Sequence, residues 1–365
     1  MGNLNVAVLG APGLAEKIGK KGTVTDMTFY EAKDGKDSVT LLEPTKYPEK
    51  LSSLFYSAQM GDFVILVVDR MDARLGETVV MADALGRTAG WVVLRDYIQP
   101  EQVMPLIAGT SLEGYGFRDE DPASMREDLI AMARAEKREA GEGSRGSCPI
   151  DSHFNVKGVG TVVLGAVADG WFRVHDRMTV WPLGREVVLR SIQKHDVDAG
   201  DGVRGDHVGL ALKGIDSDEL DRGFVVSNDP DVRASERIEG VLDYVKYWPE
   251  PLKAGMVVHV GHWMQMLPCH VDSAGGKGGA VSMTVDSDTP LIHKPGDRAV
   301  VMYLEGGKLR VVGTIALGRT SREAPQGNGV APLRMRPLDG MGPGHSSYTM
   351  TMFYAQPCQS LAHRE

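Results

Sequence analysis

Apolar and polar positions divide the chain into three stretches. Residues 5–10 (NVAVLG), 63–69 (FVILVVD) and 90–96 (GWVVLRD) are continuous apolar runs, and helical patterns separate them at 47–59, 77–85 and 121–140. The last of these opens with Asp-Pro-Ala-Ser and carries Met125, Leu129 and Met132 on one face. Apolar strands alternating with amphipathic helices predict a parallel, helix-covered sheet over residues 1–140. A different pattern starts at residue 150. Between 150 and 227, short β-branched runs recur with glycine turns at about the 8–12-residue spacing of a small antiparallel barrel. From residue 236 strand-like runs return (GVLDYVKYW, MVVHVGHWMQM, AVSMTVDSD, RAVVMYLEGG, KLRVVGTIALG) and predict a second barrel. GEGSRGSCP, residues 141–149, lacks periodicity and reads as a linker. The domains expected are therefore 1–140, 150–230 and 231–320, followed by an unassigned tail at 321–365 with one strand-like run, SYTMTMFYA.

Composition changes this picture little. Hydrophobic residues make up 42% and charged residues 24%, as in ordinary soluble domains, and no apolar run is long enough to span a bilayer. Three cysteines, Cys148, Cys269 and Cys358, lie far apart without a CxxC, which fits a reduced cytoplasmic setting. The net charge of −9 argues against a globally basic nucleic-acid surface, and residues 1–140 hold 16 Lys/Arg against 22 Asp/Glu. The exception is local: six Lys/Arg, among them Lys308, Arg310 and Arg319, face one acid between residues 306 and 337. His259 and His262 stand three apart on a strand pattern, so they point to opposite faces and predict no metal site.

Five motifs carry a resemblance. Residues 157–165 read K-G-x-G-T-V-x-x-G, 174–177 read V-H-D-R, 190–193 R-S-I-Q, 205–212 G-D-x-V-G-L-x-L, and Arg222-Gly223 closes the set. In that order they resemble the second domain of the elongation factor Tu and SelB translation factors, and KGIDSDELDRG at 213–223 is closer to the SelB branch than to bulk Tu. Residues 281–318, with their Pro-Gly-Asp turn, resemble the family's third domain. The resemblance implies an α/β plus all-β protein: a Rossmann-like, phosphate-loop GTPase-type domain followed by two antiparallel β-barrels.

The same resemblance exposes what the first domain lacks. A phosphate loop reads G-x-x-x-x-G-K-[ST], in which backbone N–H groups and a lysine cradle phosphates and a hydroxyl holds magnesium. Aligned from Gly10, and with Gly13 inside the loop, this chain places Ala15 at the second glycine, Glu16 at the lysine and Lys17 at the hydroxyl. In the first switch Val24 stands at the magnesium threonine, between Thr23 and Thr25. In the second, Glu43 replaces the Asp and the glycine is gone. VVLRDYI, residues 92–98, occupies the place of the guanine-reading N-K-x-D. Phosphoryl transfer rests on positioning and charge neutralisation, so hydrolysis should be weakened or lost. No tightly held cofactor is expected, and GTP with magnesium would bind only weakly, through Gly10, Gly13, Lys17 and Thr23.

The partners implied are aminoacyl-tRNA and, beyond it, the ribosome, with no membrane role. Asp151 and Arg222 match SelB residues that line the aminoacyl pocket, and Lys308, Arg310 and Arg319 fall where relatives touch the tRNA backbone. Ser152 stands where SelB carries a basic residue, which points away from selenocysteine and toward a larger or uncharged aminoacyl group, with pyrrolysyl-tRNA one candidate. Two alternatives stay open: an active GTPase whose site is rebuilt from Lys17, Lys20 and Thr23, and a scaffold protein with no RNA role.

Overall fold

The computed structural model describes residues 2–136, 140–141, 143–195 and 197–318, all within one compact unit. The tail expected at 321–365 and Arg319 lie outside the described residues.

The first domain runs β1 (Asn3–Gly10), α1 (Ala15–Ile18), β2 (Lys20–Val24), β3 (Thr28–Asp34), β4 (Asp37–Glu43), α2 (Leu51–Met60), β5 (Phe63–Val68), α3 (Ala73–Ala84), β6 (Gly90–Leu94), α4 (Pro100–Ile107), β7 (Gly116–Arg118) and α5 (Pro122–Ala135). Its seven strands lie in the order β2-β3-β4-β1-β5-β6-β7. β4, β1, β5, β6 and β7 are parallel, and β2 and β3 add an antiparallel edge. Strand alternation assigns the two faces. Ala7 and Leu9 of β1 pack with Leu54 and Phe55 of α2 and Leu75 and Val79 of α3. Val6 and Val8 pack on the other side with Met125 and Leu129 of α5. Both long helices begin on an aspartate cap: Asp72 accepts from the Arg74 and Leu75 amides, and Asp121 from those of Ala123 and Ser124.

The second domain holds β8 (Arg145–Val156), β9 (Gly160–Ala166), β10 (Asp169–Arg173), β11 (Arg177–Trp181), β12 (Arg185–Lys194), β13 (Val197–Ala199), β14 (Asp201–Val203), β15 (His207–Lys213) and β16 (Val225–Ser227). Pairing runs β8-β16-β11-β12-β15-β9, and β9 returns to β8, so the path closes on itself. β8 begins at Arg145, inside the stretch expected as linker, because Gly146 and Ser147 pair with β10. After β17 (Arg233–Ser235), the third domain comprises β18 (Arg237–Tyr244), β19 (Val257–His262), β20 (Gln265–Ala274), β21 (Ala280–Val285), β22 (Leu291–His293), β23 (Arg298–Met302) and β24 (Val311–Ala316). Six of these close a barrel in the order β18-β21-β20-β19-β23-β24.

The domains share packing. Met264, Val300, Met302 and Val311 of the third domain join the first domain's core on the α2–α3 face. A Cβ at Gly261 would sit 2.7 Å from the Phe55 ring, so glycine is what lets β19 approach α2. Between the first and second domains, the Asn5 amide donates to the Gly205 carbonyl at 2.7 Å and His207 Nε2 meets Asn5 Oδ1 at 2.9 Å. The second and third are joined by Lys294, which pairs with Asp169 and with Asp229. No described helix is long and apolar enough to cross a membrane.

Candidate functional site

The loop leaving β1 sits at the C-terminal edge of the parallel strands, where open α/β sheets place ligands. Gly10 has φ 92°, and a Cβ there would lie 2.1 Å from the Val67 carbonyl oxygen, so the tight exit requires glycine. Beyond it the loop is filled from within. The Gly13 N–H, one of the donors a phosphate would need, donates to Glu43 Oε1 at 2.7 Å. Glu43 ends β4 and is buried; that burial pushes its carboxyl above the usual range, although the Gly13 amide and Tyr30 favour the charged form. From the end of β6, Arg95 Nη1 donates to the Pro12 carbonyl at 2.9 Å, and its other nitrogens fork onto Glu120 at 2.6 and 2.9 Å. Lys17 Nζ donates to the same Glu120 at 2.9 Å. Hydrogen bonds from Arg95 and Lys17 outweigh the burial of Glu120 and hold its pKa at about 2. Arg95, in the segment compared with the base-reading motif, thus has its guanidinium on the loop.

Thr23 is not brought to this loop. The segment compared with a switch folds as edge strand β2, separated from β1 by β3 and β4. Gly10 and Gly13 therefore lie together, Lys17 is engaged by Glu120, and Thr23 stands apart. A cavity of about 220 Å³ remains beside the loop, lined by Gly10–Pro12 on one side and by Asp69, Arg70, Asp72 and Arg74 on the other.

Asp151 and Arg222 do meet. Arg222 Nη2 lies 2.9 Å from Asp151 Oδ1, an ion pair without hydrogen-bond alignment, and Nη1 donates to Asp26 Oδ2 at 3.0 Å. The guanidinium also stacks 4.6 Å from the centre of the Tyr56 ring. Burial works to raise the pKa of both aspartates. It prevails at Asp151, whereas Lys46 and Arg222 together bring Asp26 below its usual value. The pair expected to line a pocket in the second domain is therefore joined by a carboxylate from the first.

Arg310 was expected on a tRNA-facing surface, and the structure corrects this. Its Nη2 and Nε donate to Glu77 Oε2 and Oε1 at 2.6 and 3.0 Å, and its Nη1 to the Pro48 carbonyl at 3.0 Å. The cause is its place next to β24, which packs on α3 and turns the side chain into the domain interface. Lys308, two residues earlier, is exposed.

No family model matches the chain. It is 34% identical over 273 residues to the uncharacterized protein MJ0325 of Methanocaldococcus jannaschii, covering 74% of this chain and 87% of that protein. Over 271 residues it is 23% identical to the selenocysteine-specific elongation factor of the same organism, covering 69% of this chain and 58% of that factor. Its fold superposes on the crystal structure of translation elongation factor SelB from Methanococcus maripaludis bound to the GTP analogue GppNHp, with a TM-score of 0.73 at 19% identity, covering 87% of this chain and 79% of that one. This chain belongs to the elongation factor Tu/SelB family of translation factors.

Within this member of the family, sequence reasoning missed the residues that close the loop. It noted Glu43 and the segment holding Arg95 only as departures from motifs, and in the structure both residues contact the loop. Glu77 was missed as well. The available signal was an acid in the apolar run ETVVMA, on the face of α3 that turns inward.

Proposed function

We propose that this translation-factor homologue binds aminoacyl-tRNA, or another component of translation, and does so with GTP binding and hydrolysis weakened or lost. The carrying observation is the Gly13–Glu43 hydrogen bond. A carboxylate accepts the N–H that a phosphate oxygen would take, and Arg95 and Glu120 fill the neighbouring ground. A triphosphate would have to displace a buried acid and approach Glu16, with Lys17 already paired. Each of these opposes the charge neutralisation on which phosphoryl transfer depends.

Isothermal titration with GTP and magnesium tests the nucleotide half of the reading. No binding at micromolar concentrations and no phosphate release are expected, and micromolar binding with turnover would instead favour a rebuilt GTPase. Gel shifts with charged and uncharged tRNA test the other half, with a preference for the charged form expected. One observation favours a second reading, a scaffold without RNA: Arg222 and Arg310 are committed to interdomain ion pairs. Under that reading neither tRNA shifts.

A further inference from the structure

The segment standing where the family reads guanine has two ends with different fates. Arg95 turns inward onto Pro12 and Glu120. The next residues form a tight turn: Ile98 N–H donates to the Arg95 carbonyl at 3.0 Å, with φ 51° at Asp96 and 61° at Tyr97. Two consecutive left-handed residues make a type I′ turn, whose second central position is normally glycine or asparagine. Aspartate tolerates this conformation; tyrosine is disfavoured in it. The Tyr97 side chain is 98% exposed. Its hydroxyl makes no hydrogen bond and its ring no aromatic or cation contact among the described residues. The fold gains nothing visible from this residue, yet holds it firmly. Arg95 anchors the turn on one side, and on the other α4 starts at Pro100 behind a reciprocal Gln99–Gln102 cap. A strained, rigidly mounted and fully exposed aromatic side chain is what a pre-organised interface anchor requires.

The surroundings select the class of partner. Val68 pairs with Leu94, so the loops leaving β5 and β6 lie side by side. Asp69, Asp72, Asp96 and Glu101 on these segments outnumber Arg70, Arg74 and Arg95, and Arg95 is spent on Glu120. Arg70 is already paired with Asp69 and sits in the field of Asp72 and Asp96. Exposed Met71 adds apolar surface. A rim of net negative charge repels phosphates and attracts cationic side chains.

We propose that the turn at residues 95–98 is a docking point for a protein partner that offers an apolar cleft for Tyr97, rimmed by lysine or arginine. This surface is distinct from the barrel residues considered for tRNA, and it stands whether or not RNA binds there.

The test places a photo-reactive benzoylphenylalanine at position 97 of the full chain and irradiates it in extract from the source cells, with and without ribonuclease. Adducts are mapped by mass spectrometry. The expected result is a ribonuclease-resistant adduct to one protein, at a peptide flanked by Lys or Arg. Excess unlabelled wild-type chain should compete it away, and excess Tyr97→Gly chain should not. Tyr97→Gly relieves the left-handed tyrosine, so its melting temperature should equal or exceed that of the wild type, and a failure to compete then cannot be blamed on unfolding. An adduct lost with ribonuclease, an adduct to a second copy of this chain, equal competition by Tyr97→Gly, or the absence of any competed adduct would each overturn the proposal.

Discussion

Arg310 in the third domain and Glu77 in the first form a forked ion pair, 2.6 Å at its shortest, with side chains only 15% and 4% exposed. The Arg310 backbone N–H adds a third contact to Glu77 at 2.8 Å, and the Tyr47 hydroxyl a fourth at 3.1 Å. Glu77 therefore has its charge met by hydrogen bonds, as a buried ion requires. Removing one partner strands the other. Arg310→Ala should cost about 3 kcal/mol of stability. Glu77→Gln combined with Arg310→Met, which leaves no buried charge, should recover much of that loss. Urea unfolding of the three proteins, followed by fluorescence, checks the order; equal midpoints for wild type and Arg310→Ala would mean the pair carries no net weight.

Gly261 offers a test of the same interface through packing. An alanine there would press on the Phe55 ring and the Met302 terminal methyl, each 2.7 Å from the new Cβ. Overpacking of this kind costs about 1–3 kcal/mol. Gly276→Ala is a poor control, because its φ of 80° is itself strained, whereas Gly200 has open space around it and no positive φ. Gly261→Ala should lower the melting temperature by several degrees, and Gly200→Ala should barely move it.

Strand periodicity made most of this fold legible in advance. NVAVLG and FVILVVD each became a buried parallel strand and GWVVLRD a parallel strand buried at Val92 and Val93, since burial on both faces demands continuous apolar residues. Residues 20–43 were harder. KKGTV, in the region compared with the first switch, pairs with β3 as an edge strand whose residues are all exposed, so no apolar pattern announces it. The site was half legible. The sequence shows Glu16 and Lys17 beside the loop, but not that Glu43 and Arg95 converge on it from the ends of β4 and β6. Convergence of that kind is set by sheet order. The linker was misjudged at Arg145 because Gly146 and Ser147 carry no apolar signal, although their backbone groups pair.

Lys308 separates tRNA contact from structural work. It is exposed and lies two residues before the engaged Arg310. If the third domain holds a tRNA backbone, Lys308→Glu should weaken binding at every tRNA tested and reduce the salt slope by about 1. Its melting temperature should match the wild type. Arg310→Ala should show the reverse, a stability loss first and any binding loss only through it. Unchanged affinity and slope for Lys308→Glu would remove this surface from the tRNA reading.

His207 gives the interface between the first and second domains a pH dependence whose sign can be worked out. Its Nε2 meets Asn5 Oδ1 at 2.9 Å, and the Phe29 ring stands edge-on with centroids 5.8 Å apart. Burial, aided by nearby His195 and only partly opposed by Glu31, lowers its pKa to about 4. The unfolded chain takes up this proton near the ordinary value of about 6.5. Above that value neither state is charged and the contribution is whole. As pH falls from about 6.5 toward 4, the unfolded state gains a proton that the folded state refuses, and about 2–3 kcal/mol is lost. Glu31 and Glu120, both held at about 2, act at lower pH, where their contributions fade below the ordinary carboxylate range. The two ranges can therefore be told apart. His207→Gln keeps a polar partner for Asn5 but cannot titrate. Burial also lowers the pKa of His259 and His293, so the variant keeps their share of the loss. Its melting temperature should decline less than that of the wild type between pH 6.5 and 5, and the two curves should fall together below pH 4. Parallel curves across the upper range would show that His207 is not the group responsible.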